Sequence, residues 1–540
     1  MKRVVGWLSL LCVSIGAMIG SGWLLGPLYA SKIAGPYASF VWMIGGSLVM
    51  VIALTFAELA VMLPVTGGIA RFPHFSHGGI VSFIMTWIAW VAYILLPPVE
   101  TMALIQYLSS YFTSLTVIDS AGISSLSFTG IITAMLLLTF MSAINIFGIN
   151  FVTSFNRYLV YFKITVPFIT AIALIYYGFN LENFFIPTVI DNHIEPMKNI
   201  ENIFKALPLA GVIFSFFGFR LSIELAGETK NPQTALPLSL LGSIFICMIM
   251  YTTIQIAFIG SVDFQSIQNG WSNINFAGES GPFIAISSAL GLWFLVKIIY
   301  AASVASPFGS ALMVVTTNAR LDYAMSVNGY MPKALTILNK KQVPVVAIIV
   351  NLILGFIMLA PFPGWQQMTT FIIAALVISH SIAPISLIAL RRQVPDLIRP
   401  FKLPYAEFIA RLAFVITCFI TYWTGWNTIW KMFIVLIFGL LYLTIYKFKD
   451  LKTLSSKQIK KSLKNNLWII IYFLGMGLIS YTGAKEFDGI NLITFGYDCF
   501  IITTFSLIIF EWGIYSKLSN KDAMELIDNE EEVDTAYLTV

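Results

Sequence analysis

Charge is scarce in this chain. Of its 540 residues only 11% are Asp, Glu, Lys or Arg, whereas 58% are hydrophobic and the mean hydropathy is +0.85. A soluble domain uses roughly a quarter charged residues, so that class is excluded and a polytopic membrane protein is left. Cysteine is scarce too. Cys12, Cys247, Cys418 and Cys499 all fall in apolar runs, at spacings that fit neither a disulfide framework nor a thiolate metal site, and they read as small packing residues. The four histidines (His74, His77, His193 and His380) are dispersed. Without clustered nucleophiles, bases or metal ligands, an embedded enzyme is not expected, nor is any cofactor or metal. Rings of charge and repeated filter loops are lacking as well, which argues against a channel. The net charge of +5 follows the loops between apolar runs and points to no nucleic acid.

Long apolar runs are what the chain has in abundance. They lie near 4–31, 37–63, 79–112, 129–148, 154–178, 205–229, 234–260, 282–317, 343–361, 367–390, 407–425, 427–447, 467–483 and 490–515. A helix needs about 20 apolar residues to cross a bilayer, so the expected fold class is an all-α polytopic membrane protein of about 14 transmembrane helices. The first run is too long for a signal-peptide core and lacks a clear cleavage site, so it is expected to remain as a span. An even number of spans places both termini on one side. Most of the 31 basic residues lie in loops on the side of Lys2 and Arg3, and only Lys32, Lys198, Lys205 and Lys485 lie in loops opposite. The positive-inside rule then makes both termini cytoplasmic, in a bacterial-type cytoplasmic (inner) membrane with the lipid bilayer as solvent.

Two runs are interrupted in their middle. Gly16-Ala17-Met18-Ile19-Gly20-Ser21-Gly22 breaks the first, and Phe214-Ser215-Phe216-Phe217-Gly218 breaks the sixth. Irregular backbone at membrane depth is tolerated where it faces protein, a cavity or a ligand; small residues at this spacing also serve close helix packing. The breaks open two comparable blocks of five runs, 1–180 and 200–390. Five is odd, so the blocks enter the membrane from opposite sides, the plan of an inverted repeat with substrate held between two discontinuous helices. Residues 405–515 supply four accessory helices, 11 to 14. Residues 516–540, with Asp522, Glu525, Asp528, Glu530, Glu531, Glu532 and Asp534, read as a disordered acidic cytoplasmic tail.

The breaks carry complementary groups. Beyond Gly22 the chain resumes as helix, so the N–H groups of Gly20, Ser21 and Gly22, with the Ser21 hydroxyl, form a positive half-helix end suited to a carboxylate. Carbonyls of Gly16, Ala17 and Met18 end the preceding half and can accept from an ammonium group. The second break adds carbonyls, and the rings of Phe214 and Phe217 beside Ser215 can close over a ligand. An amino acid has that pair of charges.

The GAMIGSG break, the segment FAELAVMLPVTGG from Phe56 to Gly68, and FSFFGFRLSIELAGETKNP from Phe214 to Pro232 resemble the amino acid-polyamine-organocation superfamily of permeases. The closing GETKNP, residues 227–232, is the most specific match, and the resemblance covers about residues 1–400. It implies the five-plus-five inverted repeat of the leucine-transporter fold, with amino acids or amines as substrates. By the same resemblance Lys163, seven residues after the polar Asn156, carries the coupling proton against the broken first helix; snorkelling to the interface is the alternative. Arg220 stands where several members place glutamate. The residues around it, with Pro97-Pro98-Val99-Glu100, look most like the subgroup that includes aspartate:proton symporters. A guanidinium there can grip an acidic side chain through two hydrogen bonds, or it can be buried in an ion pair with Glu224, four residues on, or with Glu100. Glu100 is a protonation site or the partner of Arg220 or Lys297. Glu58 is expected to contact the basic loops, and His380 to be a packing residue more than a proton shuttle; Asp498 and Glu511 carry no assignment. The expected function is a secondary active amino acid transporter, a proton-coupled symporter of acidic amino acids such as aspartate working by alternating access. The alternative is an exchanger or a neutral amino acid permease of the same fold.

Overall fold

A computed structural model of the chain describes residues 3–538 except 110, 119–123, 189–195, 275, 277–280, 361, 363 and 449–455, the last group lying in the lysine-rich loop. Helices α1 (Trp7–Met18) and α2 (Gly22–Ala34) are the two halves of the first apolar run, followed by α3 (Ala38–Met62), α4 (Gly68–His77), α5 (Gly79–Leu108), α6 (Phe128–Asn145) and α7 (Ile149–Gly178). The sixth run comprises α8 (Pro196–Leu209), α9 (Val212–Phe216) and α10 (Arg220–Glu224). Then come α11 (Pro232–Ser261), α12 (Phe264–Ile267), α13 (Pro282–Ala289), α14 (Trp293–Val327), α15 (Val345–Met358), α16 (Trp365–His380) and α17 (Ile382–Gln393). The chain continues through α18 (Ala406–Trp423), α19 (Trp426–Tyr446), α20 (Ser456–Thr482), α21 (Tyr497–Tyr515) and α22 (Asn520–Leu538). Among the described residues the strands are two short ones, Thr116–Ile118 and Ser124–Leu126, paired antiparallel.

Ten helices are long and apolar enough to cross a membrane, eleven if one bent pair counts as a span, and the chain is a multi-pass membrane protein. That is fewer than the fourteen runs read from the sequence, and four places account for it. The first two runs join into one helical stretch of 41 residues, Gly22–Met62. The sixth run is the bent pair, α15 has only 14 residues, and α20 opens in a polar stretch of lysine and asparagine that keeps it outside the ten.

Local chemistry explains the breaks. In the first run Ile19 turns out of helical geometry, with ψ near 73°, and regular helix resumes at Gly22. The sixth run differs from expectation. Its sharp bend, 54°, falls between Leu209 and Val212, where Gly211 has φ +72°, a conformation open to glycine and costly for side-chain-bearing residues. The aromatic motif expected to carry the break stays right-handed and only tightens into a 3-10 turn at Phe217–Phe219.

The broken first helix sits at the centre, with α1 packed against α7, α11, α14 and the Phe217–Phe219 turn. Helices α16 and α17 are buried along their whole apolar window, whereas α19 is 17% buried and peripheral. At one end of the bundle, Glu58 accepts from Arg391 Nε at 2.8 Å and from Leu403 N at 2.7 Å, with Arg399 3.6 Å away. Nearby Glu228 of GETKNP accepts from Arg320 Nε at 2.7 Å, and its carbonyl accepts from Val4 and Val5 N at 2.9 Å. The segment expected as a disordered tail is helical. Ala523 and Ile527, four residues apart and so on one face, are buried where α22 meets α4 and α17; its side chains past 529 lie outside the described residues.

Candidate functional site

Every exposed carbonyl at the end of α1 has a partner. Lys163, buried on α7, donates to Gly16 O at 2.6 Å. Ser310 on α14 donates to Ala17 O at 2.8 Å, and Tyr251 on α11 donates to Met18 O at 2.6 Å. Asn156, one residue in the Asn156-to-Lys163 pattern, donates to Cys12 O at 3.0 Å. Lys163 is 0% exposed, so it does not snorkel: its ammonium is spent on the unwound backbone.

On the other side of the break, the N–H of Ser21 donates to Glu100 Oε2 at 2.7 Å. A carboxylate therefore sits at the half-helix end, and it belongs to the protein. Ser310 also donates to Glu100 Oε1 at 3.2 Å, tying both lips of the break to one side chain pair. The expectation that Glu100 pairs with Arg220 or Lys297 is corrected: Glu100 faces α1 and α2, and Lys297 lies exposed on α14. The tandem prolines place Glu100 deep in α5, where an N–H at a helix start supplies the charge complement. Gly20 N turns back to Met18 O at 2.9 Å, and the Ser21 hydroxyl accepts from Trp365 Nε1 at 2.8 Å.

The two breaks touch. A methyl group on Gly218 would lie 2.6 Å from Met18 N and 2.8 Å from Ser14 O, and one on Gly22 would strike the Ser215 hydroxyl. Tyr251 also reaches Ser215 O at 3.4 Å. Phe214 stands edge-on to Trp365, centroids 6.2 Å apart, and Phe217 stands edge-on to His380 at 5.1 Å. Both rings are buried. His380 also meets Phe56 and Phe219, and its Nδ1 lies 2.6 Å from Leu376 O, a packed position at the second break.

Arg220 departs from the expected ion pair. Its guanidinium lies 3.6 Å from the centroid of the Tyr93 ring, and Tyr93 OH, not Arg220, donates to Glu224 Oε1 at 3.0 Å. No carboxylate lies within 4 Å of Arg220 among the described ion pairs, and Arg220 Nη1 and Glu224 Oε2 have no hydrogen-bond partner, although both residues are buried. The ring inserted from α5 separates the two charges. The cation gains from the ring's face, which does not replace the missing hydrogen bonds.

Thus Gly16, Ala17, Met18, Gly20, Ser21, Gly22, Ser215, Phe214, Phe217, Lys163 and Glu100 come together around the two breaks, and Arg220 with Glu224 forms a second cluster through Tyr93. Sequence reasoning missed Ser310, Tyr251 and Trp365. A lone serine, tyrosine or tryptophan in an apolar helix carries no periodic or charge signal. Arg320, a charge near the end of a span, was open to the same test as Lys163.

An amino acid permease family model matches residues 5–443. The glutamate/serine transporter AimA of Bacillus subtilis (strain 168) is 35% identical over 532 residues, 97% of this chain and 96% of that protein. The aspartate-proton symporter of the same organism is 32% identical over 519 residues, 96% of this chain and 97% of the relative, and its branched-chain amino acid permease BcaP is 26% identical over 469 residues, 84% and 94%. These proteins are transporters and not enzymes. With its broken first helix clamped by side chains of five neighbouring helices and this likeness along its length, the chain belongs to the amino acid permease family.

Proposed function

We propose that the protein is a proton-coupled symporter of acidic amino acids such as aspartate, working by alternating access in the bacterial cytoplasmic membrane with both termini inside. The observation that carries the substrate reading is Arg220: a buried guanidinium whose Nη1 lacks a partner is a receptor for a carboxylate, and an acidic amino acid brings a second carboxylate. Relatives bearing the names glutamate/serine transporter and aspartate-proton symporter support it. The proposed fold is fourteen crossings, with five-plus-five inverted repeats at 1–180 and 200–390 and accessory helices at 405–515. The 41-residue stretch supports two crossings, since at 1.5 Å per residue it would measure about 60 Å, twice a bilayer core, and Gly35 at φ +57° interrupts it.

In this reading the substrate α-carboxylate takes the N–H end of α2 and displaces Glu100 from Ser21, so one carboxylate exchanges for another. The ammonium group takes the carbonyls at the breaks, and the side-chain carboxylate reaches Arg220. Lys163 carries the coupling proton: charged, it holds Gly16 O and fixes α1; discharged, it loosens that bond and lets α1 shift as one bundle rocks against the other. The test is uptake of labelled aspartate and of serine into proteoliposomes, with and without an inward proton gradient. Gradient-driven, saturable aspartate uptake is expected. Aspartate entry only against preloaded substrate, indifferent to the gradient, would make the protein an exchanger; preference for serine would make Arg220 structural.

A further inference from the structure

Glu100 is 2% exposed, and among the described residues no lysine or arginine forms an ion pair with it. The charged and titratable groups that act on it are Lys163 of α7 and Tyr251 of α11, and both are committed to backbone, at Gly16 O and Met18 O. Two serines hold the carboxyl instead. Ser21 supplies its N–H at 2.7 Å and also its side chain. The Ser21 hydroxyl accepts from Trp365 Nε1, an indole that only donates, so its own hydrogen is left for the carboxyl. Ser310 is placed differently. Its hydroxyl has a single hydrogen and two accepting neighbours, Ala17 O at 2.8 Å and Glu100 Oε1 at 3.2 Å. A carbonyl never donates, so the nearer bond claims that hydrogen, and the contact at Oε1 is complete only when the carboxyl itself donates to Ser310 Oγ.

The consequence appears when a substrate arrives, and it rests on the transport reading, in which the substrate α-carboxylate takes the N–H end of α2. Both Ser21 donors then leave Glu100. An ionised Glu100 would keep only a share of the Ser310 hydrogen, buried and without an ion pair, which is costly. A protonated Glu100 donates from Oε1 to Ser310 Oγ, while Ser310 keeps its bond to Ala17 O. We propose that Glu100 takes up a proton from the aqueous phase each time a substrate carboxylate displaces it from Ser21, and returns it when the substrate leaves. The new O–H bond forms at Oε1, so one negative charge enters the site as another is neutralised. This proton is additional to that of Lys163, and a full cycle moves two protons per amino acid. Every amino acid has an α-carboxylate, so the uptake is the same with serine as with aspartate.

The test is isothermal titration of the purified full chain in detergent with aspartate and with serine, in buffers of different ionisation enthalpy, which gives the protons bound per ligand. It is repeated over about pH 6 to 8, because a group already neutral before binding takes up nothing. Wild type is expected to take up about one proton per amino acid at the upper end of that range. Glu100→Gln has no carboxyl to protonate and should bind with uptake near zero. In wild type the infrared difference spectrum on adding the amino acid should also gain the C=O stretch of a protonated carboxylic acid, a readout that does not depend on how the variant folds. The proposal is overturned if wild type binds without proton uptake throughout the range, if that band is absent, or if Glu100→Gln takes up as much as wild type, which would put the proton on Lys163 or another group. Uptake with bound aspartate and not with bound serine would also overturn it, since the proton would then answer the side-chain carboxylate at Arg220. If neither amino acid binds wild type, the transport reading itself falls, and this inference with it.

Discussion

Lys163 and Glu100 show how single buried charges hold a helix open. Unwinding the first span frees carbonyls and N–H groups that cost several kcal/mol each in a bilayer if left bare, and the two side chains cap opposite lips of the gap, at Gly16 O and Ser21 N. Replacing Lys163 by Met keeps much of the volume and removes the donor. Proton-driven uptake should fall to background while exchange against preloaded substrate persists, read in the same vesicles. Glu100→Gln should lower the apparent KM for aspartate about tenfold, because a neutral amide holds the Ser21 N–H less strongly than a carboxylate; a raised KM would mean that Glu100 binds the substrate ammonium instead. Arg220→Gln should raise the KM for aspartate at least tenfold with little change for serine, and equal losses for both would assign Arg220 to the fold. Lys163 and Arg220 were legible because charge inside an apolar run is conspicuous. The place of Lys163 against the broken first helix was implied by the family resemblance, and it donates there to Gly16 O; what Arg220 touches was not legible, since Arg220 and Glu224, four residues apart, are natural partners on an ideal helix, and only packing against α5 brings Tyr93 onto both of them.

At the scale of elements, the two broken helices depend on glycines that let backbones meet. Gly218→Ala would place a methyl group 2.6 Å from Met18 N, and overpacking of backbone against backbone costs about 1–3 kcal/mol. A lower Tm in detergent and loss of uptake are expected. Gly242→Ala on α11 is the control, since its methyl group meets only Leu11 at 3.7 Å and should be tolerated. The position of the first break could be read from three glycines in seven residues. The bend of the sixth helix could not, because the aromatic motif drew attention and Gly211, a lone glycine seven residues before Gly218, carried the left-handed turn. The acidic tail misled for a related reason: its charges dominate the composition, while Ala523 and Ile527 suffice to seat α22 on α4 and α17.

For the whole molecule, the end of the bundle where α4 lies is tied together by histidines. His74 Nδ1 lies 2.6 Å from Tyr330 OH, and His77 Nε2 lies 3.0 Å from Gly513 O on α21. Burial pushes both imidazoles down to about 4, helped at His74 by the positive charge of Arg71. The unfolded chain, with histidines near 6.5, therefore takes up protons first as pH falls. The stability these neutral rings contribute is complete above about pH 6.5 and is lost progressively towards pH 4, on the order of a few kcal/mol in all. Melting in detergent should show that decline, and His74→Gln with His77→Gln should flatten it; a variant that melts with the wild-type pH profile would rule the two histidines out as its source.

The sequence by itself determined the class of the molecule, the location of the first break and the residue types gathered near it. Each follows from local rules: apolar length against bilayer thickness, glycine against helix continuity, and buried charge against solvation. Only the tertiary structure decided which acceptor each donor meets. It put Glu100 on Ser21 and not on Arg220, and brought Ser310 and Tyr251 onto backbone and Trp365 onto the Ser21 hydroxyl from distant helices. Those pairings join helices far apart in the chain, and the angle at which two helices cross is set by the packing of all their neighbours, which no local pattern of residues records.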